Sequence, residues 1–174
     1  KVLNQLVATG VIPLYAIGGA IGASFYIEAQ ATEDLDIFVA LPQSTGGLLS
    51  RSPIYAACVA QGGVIEGEYV RLGAWPVQIL PAYKPLVEEA LNAAIEVSFD
   101  GIPTRVFTAE HLCAIAIDTG RPKDYLRVSM FLEQDGVDVA LLEELLYRYR
   151  LDDRRRNILN WPAGDGNANE PQSS

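Results

Sequence analysis

Apolar positions follow two rhythms along this chain. Short apolar runs bounded by Gly, Pro and Asp fill the first two thirds, while the last third repeats its apolar residues at helical spacing. The chain opens with Val2, Leu3, Leu6 and Val7 on one side of a helix over 1–10. The run Ile12–Ile17 ends at Gly18-Gly19 and reads as a buried strand entering a tight turn, followed by a helix from Ala20 to about Ala29. Leu35–Leu41 is a second strand stopped by Pro42, and the Ser/Thr/Gly/Pro-rich stretch 42–52 is a loop. A helix over Pro53–Gln61 ends at Gly62-Gly63, and strands over Val64–Leu72 and Trp75–Leu80 join at Gly73-Ala74.

Pro85–Ile95 fits a helix, and Val97–Phe107 a hairpin around Asp100-Gly101, a type I′ turn pair. Thr108 is placed to cap a helix that Gly120 ends. Pro122 suits the first position of a helix running to about Gln134, and another helix covers Asp138–Arg150. From Trp161 the chain is rich in Gly, Asn, Pro and Ser, which predicts a flexible tail over 161–174 behind one domain over 1–160. The expected class is α+β: a mixed sheet with a helical C-terminal third.

Composition narrows the function classes. With 174 residues and 49% hydrophobic content the chain can bury an ordinary core. The net charge of −9, from 13 basic and 22 acidic side chains, gives no overall attraction for nucleic acid, so a small molecule or a protein is the better expectation as partner. Cys58 and Cys113 sit in apolar runs and read as reduced thiols of a cytoplasmic protein, with a disulfide between them still open. His111 is the single histidine, which leaves no basis for a His/Cys zinc site. No stretch is apolar enough to span a bilayer, and no signal peptide is visible.

The chemistry is concentrated between Ala16 and Leu41. Asp34 and Asp36 stand two apart at the start of a strand, so both carboxylates share one face. Two like charges so close call for a cation, and Mg²⁺ (or Mn²⁺) fits, since it completes its oxygen shell with waters and substrate phosphates. A pair of such ions can clamp the attacking and leaving oxygens of a phosphoryl transfer. Gly18-Gly19 lets backbone N–H groups approach a triphosphate at a helix start. Ser24 and Tyr15 lie nearby without an assigned role.

Strand, Gly-Gly, helix and T-x-D-x-D in this order resemble the opening motif of the DNA polymerase β-type nucleotidyltransferase superfamily. Gly18-Gly19 followed by Thr32-Glu33-Asp34-Leu35-Asp36-Ile37 is most similar to the branch that includes the abortive-infection type II toxins. Arg121-Pro122-Lys123-Asp124 resembles the R-x-K-D element of that branch. The resemblance implies a nucleoside triphosphate bound with Mg²⁺ and a nucleotide passed to an acceptor. In it Asp34 and Asp36 are catalytic and hold metal, Gly18 and Gly19 bind nucleotide, Lys123 meets phosphate, and Asp124 orients it or neighbouring groups. It also implies a third carboxylate on the strand Trp75–Leu80, where this chain has Gln78. An amide ligates weakly and takes no proton at neutral pH. Glu66 and Glu68 share a strand face and are candidate substitutes, although an exposed polar edge explains them as well.

His111 reads as a capping or packing residue, and Arg154-Arg155-Arg156 as a solvated helix face and the one basic patch for an acidic partner. Two rival readings exist. Gln78 is compatible with a catalytically degenerate interaction protein, such as one half of a toxin–antitoxin-like pair. A dinucleotide-binding domain lacks both the GxGxxG pattern and the βαβ alternation beyond residue 41.

Overall fold

In the computed structural model, residues 1–41, 51–158 and 161 are described. The loop expected over 42–52 falls outside them except for its last two residues, as does the expected tail beyond Trp161. A seven-stranded mixed sheet organises the rest. In chain order its strands are β1 (Tyr15–Ile17), β2 (Leu35–Val39), β3 (Val64–Glu66), β4 (Tyr69–Leu72), β5 (Trp75–Pro81), β6 (Ile95–Phe99) and β7 (Ile102–Val106). Their spatial order is β3-β4-β5-β2-β1-β7-β6. Both β1–β7 and β2–β5 run parallel, and the other neighbours run antiparallel.

Seven α-helices flank the sheet among the described residues: α1 (Val2–Ala8), α2 (Gly19–Ala23), α3 (Ser52–Ala60), α4 (Pro85–Ala93), α5 (Ala109–Thr119), α6 (Pro122–Glu133) and α7 (Val139–Arg148). The strand alternation sorts the interior into two cores. Ile37, Val39, Val77 and Ile79 point to a core shared with Leu6 and with Ile54 and Cys58 of α3. Ala16 and Phe107 join Leu112, Ile117, Val128, Phe131, Leu142 and Leu146 in the helical layer on the other side. Cys58 and Cys113 are buried in different cores, and both are free thiols that burial pushes up in pKa.

Local chemistry explains the borders. Thr108 caps α5 by accepting the His111 N–H, and Asp138 caps α7 through Ala140 N (2.9 Å) and Leu141 N (3.2 Å), each such cap contributing about 1 kcal/mol. Gly120 ends α5 at φ 73°, in the left-handed region expected of it. Asp100 and Gly101 both have positive φ (51° and 72°), as a type I′ turn requires. Arg105 reaches the end of α4, donating from Nη2 to the carbonyl of Ala94 at 2.8 Å.

Three expectations need correction. The helix expected over Ala20–Ala29 stops at Ala23: Ser24 Oγ bonds back to the Ile21 carbonyl, and the next amides take i−3 partners, which tightens and ends the turn. The strand expected over Val64–Leu72 is a hairpin, because Gly67 at φ 63° reverses the chain between β3 and β4. The arginine run lies on a short 3₁₀ helix, Asp152–Asn157, and is not simply a solvated face. Arg154 Nη1 donates to the last carbonyls of α5, Ile117 (3.1 Å) and Asp118 (2.6 Å), and Arg155 pairs with Glu143 at 2.9 Å.

Candidate functional site

The turn between β1 and α2 is built on two glycines for two different reasons. A Cβ on Gly18 would run into the Phe38 ring, while Gly19 sits at φ +56° with the Asp36 carboxylate where its Cβ would be. Gly18 N donates to the Asp36 carbonyl at 3.0 Å, so the turn is laced to β2. The Gly-Gly backbone therefore lies flush against one carboxylate of the acidic pair, a closeness that a side chain at residue 19 would prevent.

Asp34 and Asp36 line one cleft, with a volume of about 340 Å³, together with Gly19, Thr32 and Gln78. Thr32 Oγ1 donates to Asp34 Oδ1 at 3.1 Å. Burial, reinforced by the charge of Asp34, raises the pKa of Asp36, while Arg127, Arg121 and Lys123 pull it back down. Two carboxylates turned to one cleft, one of them penalised for its charge, are a donor set suited to a hard divalent cation. Among the described residues no group of three or more His, Cys, Asp and Glu side chains could hold a metal. Asp34 and Asp36 are the carboxylates that could hold such an ion, and Gln78 offers only the weaker carbonyl of an amide beside them.

The opposite wall comes from the start of α6. Arg121, Lys123, Asp124 and Arg127 all line the cleft. Asp124 is only 1% exposed and accepts from two guanidinium groups: Arg121 through Nε (2.6 Å) and Nη2 (3.2 Å), and Arg127 through Nη1 (3.4 Å). Arg127 also donates from Nε to Gln30 Oε1 at 3.3 Å. Asp124 thus orients its arginine neighbours, while Lys123 is exposed beside them. The remaining lining is apolar and includes Phe38, Leu80, Phe107, Leu112 and Ile115.

The fold brings Gly19, Asp34, Asp36, Gln78, Lys123 and Asp124 to one cleft, whereas Gly18 is not part of the lining. It adds Arg121 and Arg127, to which the sequence reading gave no role. Their i, i+3 spacing about Asp124 on one helix face was the available signal.

Gln78 pairs directly with Asp36 across the parallel β2–β5 ladder, so it occupies the same face beside the acidic pair. The substitute acids do not reach. Glu66 is in the same cross-strand row as Asp36 through Gln78 and Tyr69, but three strands away, about 14 Å at ordinary strand spacing. It is held by Arg71. Glu68 lies exposed in the β3–β4 turn. His111 is also absent from the cleft lining. It is buried, its Nδ1 is 2.8 Å from Thr108 Oγ1, and burial lowers its pKa, as befits a capping and packing residue.

No protein-family model matches the chain, and no curated protein matches it. Solved structures do. A crystal structure of ANT(2'')-Ia in complex with adenylyl-2''-tobramycin aligns at a TM-score of 0.55 and 16% identity, covering 88% of this chain and 94% of that one. A solution structure of the antibiotic-resistance factor ANT(2'')-Ia aligns at 0.52 and 16%, covering 90% and 94%. An antigenic nucleotidyltransferase-like protein from Paracoccidioides brasiliensis aligns at 0.52 and 15%, covering 92% and 91%. This chain has a nucleotidyltransferase-like fold. Among the described residues no helix is long and apolar enough to cross a membrane.

Proposed function

We propose that this protein, acting as one domain over 1–160, binds a nucleoside triphosphate with Mg²⁺ (or Mn²⁺) and passes its nucleotide to an acceptor. One observation carries the reading: the Gly-Gly turn, the paired carboxylates and the cations of α6 converge on one cleft of a nucleotidyltransferase-like fold. Asp34 and Asp36 hold the divalent ion, which when bound neutralises charge on the phosphates. The backbone at Gly19 lines the cleft beside the acidic pair, where its N–H can meet the phosphate chain, and Lys123 meets phosphate from the other wall. Asp124 keeps Arg121 and Arg127 extended towards the same chain. The acceptor oxygen bonds to the α-phosphorus, the bond to the β-phosphate oxygen breaks, and pyrophosphate leaves. The Gly-Gly, T-x-D-x-D and R-x-K-D elements support a place in the abortive-infection type II branch, and the free thiols of Cys58 and Cys113 support a cytoplasmic setting. The antibiotic adduct on ANT(2'')-Ia supports a small-molecule acceptor, and the net charge of −9 disfavours a long nucleic acid.

A thermal-shift comparison of the four triphosphates with and without Mg²⁺ tests this reading. Stabilisation of about 2.7 kcal/mol is expected at a hundredfold excess over Kd, only with the ion present, and lost in Asp36→Asn. No stabilisation by any triphosphate, or its full retention in that variant, contradicts the reading. Gln78 favours a second reading, in which the domain binds nucleotide as an interaction protein without turnover. Transfer of label from a triphosphate, abolished by Asp34→Asn, separates the two.

A further inference from the structure

We propose that Gln30 is a positioning residue of the phosphate wall: it holds the Arg127 guanidinium towards the cleft while leaving its positive charge uncancelled, which favours a triphosphate over shorter phosphate chains. The proposal rests on the nucleotidyl-transfer reading and deepens it, since it concerns how that site selects its nucleotide. The start of α6 lines the cleft with three cations, Arg121, Lys123 and Arg127, and one acid, Asp124. Arg127 is the more enclosed guanidinium, its side chain 12% exposed against 58% for Arg121. It shares Asp124 with Arg121, so one carboxylate stands between two positive groups. Its Nε donates instead to the amide oxygen of Gln30 at 3.3 Å, and neither bond uses Nη2. The charge of Arg127 is felt across the cleft: of the cations acting on Asp36, it acts most strongly.

The amide of Gln30 is itself held on both sides. An arginine only donates, so the amide oxygen faces it and Nε2 is left to donate elsewhere. Nε2 meets Met130 Sδ, one turn further along α6, at 2.7 Å. Gln30 belongs to the segment between α2 and β2 that ends in Thr32 and Asp34. The same segment is fastened near the end of α6 twice more. Glu28 N donates to Gln134 Oε1 at 2.9 Å, and Gly136 packs so closely that a Cβ there would stand 2.7 Å from Ile27 Cγ2. Gln30 therefore meets Arg127 from a fixed backbone. A carboxylate at residue 30 would bind the guanidinium more tightly and cancel its charge. An amide keeps the geometry and leaves a poorly solvated positive charge, a state that costs free energy until an anion arrives. A phosphate chain is such an anion, and each added phosphate gives the wall more negative charge to meet.

The test titrates the four Mg²⁺-triphosphates, and the monophosphate of each nucleotide that binds, into the full chain and its variants. Gln30→Met removes the amide at similar length and adds no charge. It should raise triphosphate Kd about threefold, and should cost nothing further in an Arg127→Gln background, where the anchor has no guanidinium to hold. Gln30→Glu restores an acceptor but adds negative charge. Its melting temperature should equal or exceed that of the wild type, while triphosphate Kd rises at least about fivefold, monophosphate Kd rises less, and the loss shrinks as salt is raised. Unchanged triphosphate affinity in either variant overturns the proposal, because the bond then serves only to fasten the segment to α6. So does an equal loss from Gln30→Met with and without Arg127, which would make packing of the segment the cause. If Gln30→Glu melts below the wild type, the Gln30→Met comparison alone decides. Wild-type binding with unaffected variants leaves the nucleotide reading standing, whereas no binding of any triphosphate by the wild type fails that reading and this proposal with it.

Discussion

Asp36 and Asp124 line the same cleft and live in opposite electrostatic surroundings. Asp124 is almost wholly buried, yet both its oxygens meet guanidinium groups. Asp36 is less buried and has the charge of Asp34 beside it, with cations acting only from the other wall. The first carboxylate is satisfied by the fold and holds its own wall in shape. The second is left in a position that favours a cation not supplied by any side chain. Local rules are broken at Asp36 and kept at Asp124, the contrast expected under the proposed function between a ligand-holding residue and a positioning one.

Substitution should expose the contrast most strongly at Asp124. Asp124→Ala leaves two arginines facing a buried gap, and a loss of about 3–5 kcal/mol in chemical denaturation is expected. A loss below about 1 kcal/mol would place Asp124 on the same footing as Asp36.

Gly19→Ala comes next. Its positive φ alone costs about 1–2 kcal/mol, and its Cβ would push the Asp36 carboxylate aside, so both stability and Mg²⁺-triphosphate binding should fall. Loss of stability with unchanged binding would show that the glycine serves the turn only.

Asp36→Asn should have the reverse sign and a smaller size. A raised carboxyl pKa means that the stability Asp36 lends is present below the ordinary carboxylate range and is lost as pH rises through its folded-state value. Without metal at neutral pH the variant should therefore melt slightly higher than the wild type, with the gap closing near about pH 4. A lower melting temperature at neutral pH would mean that Asp36 is already satisfied by protein groups.

His111 provides the smallest effect and a control away from the cleft. Burial lowers its folded-state pKa, so its contribution is lost as pH falls below about 6.5 towards that value. His111→Gln should flatten the stability slope across that window and leave nucleotide binding alone. Altered binding would place His111 at the site after all.

The sequence carried one wall of the cleft almost completely. Period-two alternation set Asp34 and Asp36 on one face, and Gly18-Gly19 announced a turn that only glycine fits. The relation of Gln78 to Asp36 was also readable, because the third-acid position marked its strand. What sequence could not supply was the other wall. Asp124 looked like a helper of Lys123, since nothing local tells which cations a buried acid will meet once the helix packs. The overlong α2 and the undivided β3–β4 strand came from reading apolar composition through Ser24 and Gly67, where one side-chain hydrogen bond and one positive φ redirect the chain. Glu66 failed as a substitute ligand for a reason of distance: it shares the face but not the neighbourhood.

The central claim is that the acidic pair is a cation site for a triphosphate. Isothermal titration of Mg²⁺-ATP and of the other three Mg²⁺-triphosphates into the wild type, Asp34→Asn and Asp36→Asn addresses it directly. At least one triphosphate should bind the wild type with one-to-one stoichiometry, depend on the ion, and lose binding in both variants. Equal affinity in wild type and variants, or no binding by any of the four, would contradict it.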